Sequence, residues 1–147
     1  ITRAVAEIAA GRRDWVSLGN LEARRDWGFA GDFVEAMWLI LQTDQPDDWV
    51  VGTGEDHSVR EFCELAFADV GVELVWSGDG VDEVGRDRAT GAKRVVVNPR
   101  YFRPAEVDLL KADPSKARRE LGWVPKVGFE QLVRMMVDAD VTALRAG

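Results

Sequence analysis

The sequence predicts an α/β domain, and three observations carry that prediction. Short apolar runs bounded by glycine alternate along the chain with longer segments whose apolar residues recur at helical spacing. The chain has 147 residues, 46% hydrophobic and 31% charged, which is typical of a folded globular domain. No apolar run reaches the roughly 18 residues that a membrane-spanning helix needs, so we expect no membrane segment.

The first part of the chain contains two predicted helices and two predicted strands. Residues 1–10 have apolar side chains at helical spacing and are followed by a glycine, which favours a helix that stops there. A short apolar run predicts a strand over 15–18. Residues 30–42 are apolar around most of the helix, so we expect this helix to be buried on more than one face. The apolar run 49–53 predicts a buried strand.

The middle of the chain begins with a helix start signal. Ser58 and Glu61 have the spacing of a capping box and predict a helix through about Val70. Residues 73–76 alternate apolar and polar residues and predict a strand. The polar, glycine-rich stretch 77–91 predicts a flexible loop.

The last part of the chain contains one more predicted strand and two more predicted helices. The strand covers 94–97. Asp113 is predicted to cap a short helix with Pro114 at its first position, and Gly122 is predicted to end it. The final helix begins at about Phe129, and its predicted inner face carries Phe129, Leu132, Val133, Met136 and Val137.

Charge and cysteine content exclude several classes of function. The 19 basic and 26 acidic residues give a net charge of −7, which argues against a nucleic-acid surface. A single cysteine, Cys63, forms no internal disulfide and favours a reducing, cytoplasmic location. We expect Cys63 to be a small buried side chain and His57 to be structural or solvated. A lone histidine also makes a metal site improbable.

Two loops hold the candidate binding residues. The first, 19–28, contains Arg25, and the second contains Arg103 and Glu106. Binding residues concentrate in loops, a guanidinium suits a phosphate, and two of them would clamp a diphosphate. Glu106 would accept hydrogen bonds from sugar hydroxyls. Spacing alone is a weak signal for such a site, because surface Arg–Asp and Arg–Glu pairs are common and usually structural. Trp27 is as readily a packed cap as a ligand contact.

One glycine motif resembles a dinucleotide-binding turn without matching it. Gly78 and Gly80 follow a predicted strand, but the third glycine of that fingerprint is replaced by Glu83 and no helical pattern follows. We interpret this segment as a plain loop.

Several longer strings make the sequence recognisable. LGNLEARRDWG, FVEAMWLILQ, TGEDHSVREF, NPRYFRPAEVDLL, DPSKARRELGWVPKV and FEQLVRMMVDAD closely resemble the C-terminal part of the GDP-mannose 4,6-dehydratase family, within the extended short-chain dehydrogenase/reductase group. The resemblance runs from Ile1 to about Asp140. It implies that residues 1–147 form the sugar-nucleotide-binding portion of a longer protein, with 30–54 returning to the Rossmann sheet of an absent N-terminal domain.

The resemblance also implies an activity. Family members convert GDP-mannose to GDP-4-keto-6-deoxymannose, a lyase reaction on the route to GDP-fucose. A hydride leaves C4 for NADP, water is lost across C5 and C6, and the hydride returns at C6. NADP is expected on the N-terminal domain, and the whole enzyme is expected to be a cytoplasmic homo-oligomer that binds neither nucleic acid nor membrane.

Matching positions carry over residue by residue. Arg25 matches the family arginine at the nucleotide diphosphate, Arg103 and Glu106 match an arginine at the phosphates and a glutamate at the ribose hydroxyls, and Gly19 and Asn20 match the turn that lines the nucleotide. We expect no catalytic residue and no metal ligand in this chain.

The sequence also departs from the family pattern. The family's catalytic Tyr-x-x-x-Lys pair is absent, since Tyr101 is followed four residues later by Ala105, so the chain alone is expected to be inactive. Phe29 stands where the family often has histidine, a change expected to be mild. Two alternatives stay open: a sibling nucleotide-sugar epimerase or dehydratase, and a truncated, non-catalytic GDP-sugar-binding module.

Overall fold

The computed structural model describes residues 1–105 and 111–146. It divides into two compact units, each described here by itself. Unit 1 consists of Ile1–Ala23, Ser58–Val107 and Val133–Gly147, and unit 2 of Arg24–His57 and Asp108–Leu132.

Helices and strands alternate through the described chain, which confirms the predicted α/β class. The elements, in chain order, are α1 (Thr2–Ala9), β1 (Val16–Leu18), β2 (Arg24–Arg25), α2 (Ala30–Ile40), β3 (His57–Ser58), α3 (Val59–Asp69), β4 (Leu74–Ser77), β5 (Val84–Asp87), β6 (Lys93–Val97), α4 (Ser115–Glu120) and α5 (Phe129–Ala146).

A four-stranded mixed sheet forms the framework of unit 1. Its strand order is β1-β6-β5-β4, with β1 parallel to β6 and the other two pairs antiparallel. Trp76 lies opposite Gly85, and a side-chain carbon at Gly85 would lie 2.8 Å from the tryptophan ring. Glycine at this position therefore lets the ring pack onto the neighbouring strand.

The core of unit 1 lies between this sheet and its helices. The capping box predicted at the start of α3 is present: the Glu61 amide donates to the Ser58 hydroxyl, and the Ser58 amide donates to the Glu61 carboxylate. This cap fixes the start of α3, whose apolar face is fully buried. Fully buried side chains of unit 1 are Val5, Cys63, Phe67, Val95, Val133 and Val137.

Unit 2 has a smaller core. Ala36, Ala117 and Trp123 are buried together, with Phe33, Leu39, Trp49, Val51 and Leu121 packed partly against them. The Trp123 indole donates to the Asp32 carbonyl at 2.8 Å, and the Asp32 carboxylate accepts from the amides of Lys126 and Val127 at 2.9 and 3.0 Å. The segment after α4 is therefore attached to the first turn of α2.

The structure corrects two strand and loop predictions. Residues 49–53 form no strand; Trp49 instead packs on the unit 2 core and donates to Glu120 at 3.1 Å. The stretch 77–91 is not simply a loop, because it contains a 3-10 turn over Gly80–Asp82 and strand β5. Buried Asp87 ends β5 by accepting bonds from Ala89 and Thr90.

Two burial predictions and one helix start are also wrong. Helix α2 exposes Val34, Met37 and Trp38 within the described chain, because nothing described there covers them. Met136 is exposed on α5, whereas the rest of its predicted inner face is buried. Pro114 is the N-cap residue of α4 and not its first helical residue, and α4 has no side-chain cap bond. Asp113, predicted to be the cap, lies one position earlier and accepts from the Ser115 amide at 3.0 Å.

Candidate functional site

The parallel pair β1 and β6 brings two loops to one edge of the unit 1 sheet. Leu18 lies opposite Val97 where both strands end, and the Asn98 amide donates to the Leu18 carbonyl at 2.8 Å. Ligands of open α/β sheets bind outside the carboxyl ends of the strands. The turns that follow β1 and β6 therefore stand where a ligand site is expected.

Gly19 permits these two turns to touch. A side-chain carbon at this position would clash with the backbone carbonyl oxygen of Tyr101. Since that neighbour is backbone, it moves only if the loop moves. Glycine at 19 is thus required by the close approach of the loop after β6.

The side chain of Asn20 forms hydrogen bonds with both the backbone amide and the backbone carbonyl of Arg103. Its amide nitrogen donates to the Arg103 carbonyl at 2.7 Å, and its amide oxygen accepts from the Arg103 amide at 2.7 Å. These bonds join residues 83 apart in the sequence. The Arg103 side chain itself is exposed and has no hydrogen-bond or ion-pair partner among the residues the structure describes.

Arg25 lies in unit 2, in a segment fixed against residues 53–57. Its neighbour Arg24 bonds the Asp56 carboxylate at 2.7 Å and the Asp56 carbonyl at 2.8 Å, and Arg25 donates to the Arg24 carbonyl at 2.7 Å. Arg25 also lines an open depression of about 360 Å³ with Asp26, Lys111 and Ala112. Two cationic side chains therefore border this depression.

Both carboxylate oxygens of Asp26, which also lines the depression, accept hydrogen bonds. The carboxylate accepts from the Thr53 amide at 2.9 Å, the Thr53 hydroxyl at 2.7 Å and the Gly54 amide at 2.9 Å. Burial raises the pKa of Asp26, but these hydrogen bonds outweigh burial and lower the pKa below its ordinary value. Asp26 thus ties the Arg25 segment to the Thr53 turn.

Trp27 is tied down by a hydrogen bond to the backbone. Its indole donates to the His57 carbonyl at 3.0 Å, while His57 stacks on Phe129 with ring centroids 3.9 Å apart. A side chain at Gly28 would clash with the ring of Phe33. The half-buried Trp27 therefore has the bond expected of a packed cap, and His57 has the structural role predicted for it.

The predicted site residues fall into three groups. Gly19, Asn20 and Arg103 meet at one edge of unit 1, while Arg25 belongs to unit 2. Glu106 lies outside the described residues. The ligand contacts expected of all five remain predictions.

The remaining candidates behave as structural residues. Cys63 is buried as predicted, and burial raises the pKa of its thiol to about 12, so it is inert at neutral pH. Gly78 and Gly80 have positive φ angles around the 3-10 turn, which glycine tolerates.

In the described ranges, no three His, Cys, Asp or Glu side chains group as metal ligands. No helix there is long and apolar enough to cross a membrane.

Comparison with known proteins decides the family. The family model for GDP-mannose 4,6 dehydratase matches residues 1–136. The chain belongs to this family. It is 55% identical over 145 residues to GDP-mannose 4,6 dehydratase of Drosophila melanogaster and 53% identical over 145 residues to that of Homo sapiens. Each match covers 99% of this chain but only 37% and 39% of the relative, in its C-terminal part.

Two solved structures share the fold of this chain. RMD from Pseudomonas aeruginosa, complexed with NADPH, has a TM-score of 0.76 at 19% identity and covers 97% of this chain and 41% of its own. UDP-glucose 4-epimerase of Thermotoga maritima, with UDP-glucose, has a TM-score of 0.68 at 22% identity and covers 96% and 38%. At these identities the likeness shows a shared α/β fold.

Sequence reasoning missed two cationic side chains near the predicted residues. Lys111 borders the Arg25 depression, and Arg60 bonds the segment that carries Asn20. Neither has a local signal, because a lysine in a loop and an arginine in the first turn of a helix are ordinary surface patterns. Only their tertiary neighbours distinguish them.

Proposed function

We propose that this chain supplies the nucleotide-sugar-binding part of a GDP-mannose 4,6-dehydratase and that its ligand is GDP-mannose. The observation that carries the proposal is the docking of the Gly19–Asn20 turn against the backbone of Arg103. The family resemblance expects these residues at one ligand, and the structure has them in contact at the carboxyl edge of the sheet.

Arg103 is suited to a phosphate by its fixed backbone and its available guanidinium. Two bonds from Asn20 hold its backbone, so binding costs the entropy of one side chain and not of a loop. An exposed guanidinium offers paired donors that match phosphate oxygens. We propose Arg103 as a phosphate ligand, with Gly19 and Asn20 forming the turn beside the nucleotide and Glu106 accepting from the ribose.

Arg25 is proposed as a further phosphate ligand. The depression it lines also holds Lys111, and Asp26, the one described anion there, is already bound by three donors. The depression therefore favours an anion over a cation.

The residues described here do not fit a dinucleotide cofactor. The Gly78 turn leads into a 3-10 turn and then strand β5 rather than into a helix, so it lacks the helix N-terminus that holds a pyrophosphate. NADP is proposed to bind to an N-terminal Rossmann domain outside these residues, and the Tyr-x-x-x-Lys pair is expected there too.

Segment 30–54 is proposed to complete that Rossmann domain. Helix α2 exposes Val34, Met37, Trp38 and Leu41, a contiguous helical surface that a sheet would cover. The chain covers 37% to 39% of the two relatives described above, which leaves ample sequence to supply the sheet. Without that partner we expect the 147 residues to self-associate, which light scattering would detect; a dispersed monomer would contradict this expectation.

The proposed reaction converts GDP-mannose to GDP-4-keto-6-deoxymannose and water, with no net oxidation or reduction. The test incubates the gene product that carries this chain with GDP-mannose or with UDP-glucose in the presence of NADP. Liquid chromatography with mass spectrometry follows the nucleotide sugar, because an epimerised sugar has the same mass as its substrate and must be separated from it. A product lighter by one water, formed from GDP-mannose and not from UDP-glucose, supports the proposal. Turnover of UDP-glucose instead would favour the epimerase alternative, and binding without turnover would favour a binding module. We also propose that the whole enzyme is a homo-oligomer and that it is located in the cytoplasm.

A further inference from the structure

Arg60 connects the segment that carries Asn20 to the middle of the unit 1 sheet. It lies in the first turn of α3 and bonds neighbouring segments with both its backbone and its side chain. The backbone amides of Arg60 and Val59 donate to the carbonyls of Leu21 and Ala23 at 2.9 and 3.1 Å. The start of α3 is thereby attached to the residues that directly follow Asn20.

The guanidinium bridges two carboxylates of different exposure. Its Nε donates to Glu22 at 2.6 Å, and its Nη2 bonds Glu83. The Glu22 side chain is largely exposed, whereas that of Glu83 is buried. Burial lowers the pKa of Arg60, but the bonds to Glu83 and Glu22 outweigh burial and raise the pKa, so the guanidinium stays charged. Glu83 is therefore the buried partner of this bridge, and Glu22 is the exposed partner, which lies on the loop after β1.

An aromatic ring fixes the plane of the guanidinium. Arg60 lies 4.5 Å from the centroid of the Trp76 ring, and the Trp76 indole donates to Glu64 at 2.7 Å. Stacking of this kind restricts the side chain to one orientation. Leu21, between Asn20 and Glu22, is itself buried, so the loop has one apolar and one ionic attachment.

We infer that Arg60 is a positioning residue for the proposed nucleotide-sugar site: it holds Leu21 and Glu22 in place, so that Asn20 can fix the backbone of Arg103. In this role Arg60 acts through Leu21, Glu22 and Asn20 and not through a contact of its own with the ligand. This inference rests on the proposed function, because it assigns Arg60 a role in presenting Arg103 to a phosphate.

The test measures GDP-mannose affinity by calorimetric titration of the gene product that carries this chain. Arg60→Ala should weaken binding about tenfold. Arg60→Lys should recover most of the thermal stability, since a lysine keeps one ion pair to Glu83, but little of the affinity, since it does not bridge two carboxylates at once. A merely structural ion pair would recover both together. Arg88→Ala is the matched control: it removes an exposed pair to Glu73 and should leave affinity unchanged.

A double variant tests the route of the effect. If Arg60 acts through Asn20, then Asn20→Ala combined with Arg60→Ala should bind no more weakly than Asn20→Ala alone, whereas independent effects would add. Should Arg60→Ala fail to fold, Glu22→Ala removes only the acceptor at the loop end of the bridge and should still weaken binding severalfold.

The outcomes separate the two proposals. Failure of the unchanged protein to bind GDP-mannose overturns the proposed function and, with it, the role of Arg60. Normal binding by the unchanged protein together with equal binding by Arg60→Ala, or by Glu22→Ala, overturns only the inference about Arg60. Additive effects in the double variant also overturn it.

Discussion

Helices α2 and α3 have the same length of 11 residues but opposite relations to their surroundings. Helix α3 begins with a complete capping box and buries Phe62, Cys63, Ala66 and Phe67. Helix α2 begins at Phe29 without a side-chain cap and buries only Asp32 and Ala36. The helix with the more apolar sequence is thus the more exposed one, and the proposed docking on a Rossmann sheet would remove this exposure.

The largest expected effect tests this difference in burial. Phe67→Ala on α3 removes a side chain that is 0% exposed and should cost about 3–5 kcal/mol of unfolding free energy. Met37→Ala on α2 removes one that is 63% exposed and should change it by only about 0.5 kcal/mol. Urea unfolding of the 147-residue chain at low protein concentration measures both. Equal losses would show that α2 is buried after all.

The Met37→Ala variant also tests the proposed docking of α2 on a Rossmann sheet. In a longer gene product that includes a Rossmann domain, Met37→Ala should become costly, because the side chain would then be buried. A Met37→Ala variant as stable there as the unchanged protein would contradict the docking of this face.

The second effect concerns the polar attachment of α2. Asp32→Ala leaves the partly buried amides of Lys126 and Val127 without their charged acceptor, which should cost about 2–3 kcal/mol. Glu35→Ala, on the same helix, removes only an exposed pair to Lys126 and should cost at most about 1 kcal/mol. Thermal or urea unfolding compares them. Similar losses would mean that α2 is not held through Asp32.

The third effect concerns the cap of α3. Ser58→Ala removes the hydroxyl that accepts from Glu61 and should cost about 1 kcal/mol. Ser77→Ala, at an exposed strand end, is the control and should be nearly neutral. Circular dichroism during urea unfolding measures both; a neutral Ser58→Ala would contradict the role of the cap.

The smallest effect is a pH dependence in unit 2. Because the folded-state pKa of Asp26 is lowered, its stabilising contribution is present above the unfolded pKa of about 3.9 and is lost as the pH falls through the folded value. Asp26→Asn should therefore lose less stability than the unchanged chain on acidification below about pH 4. Unfolding curves at several pH values test this, and parallel losses would contradict it.

Sequence-based prediction succeeded where the partners of a residue are close to it in the sequence and failed where they are distant. The cap of α3 was predicted because both of its residues lie within four positions of each other. Strand β5 was missed because VGRD has little apolar pattern and is fixed by pairing with β4 and β6. The burial of α2 was wrong because an apolar pattern specifies a need for a partner but not its presence.

The site shows the same limit. Spacing alone made Arg25 and Arg103 candidates and left ordinary ion pairs open, and the resemblance added Gly19 and Asn20. Neither approach predicted that the Asn20 side chain would bind the Arg103 backbone 83 positions away. The bridge of Arg60 to Glu22 and Glu83 likewise depends on tertiary contacts among α3, β5 and the loop after β1.

The most direct test of the central claim is a calorimetric titration of the gene product that carries this chain with GDP-mannose, beside UDP-glucose. The account predicts saturable binding of GDP-mannose that is weakened by Arg103→Ala and unaffected by Arg88→Ala. Tight binding of GDP-mannose that Arg103→Ala leaves unchanged would contradict it, as would a folded protein that does not bind GDP-mannose.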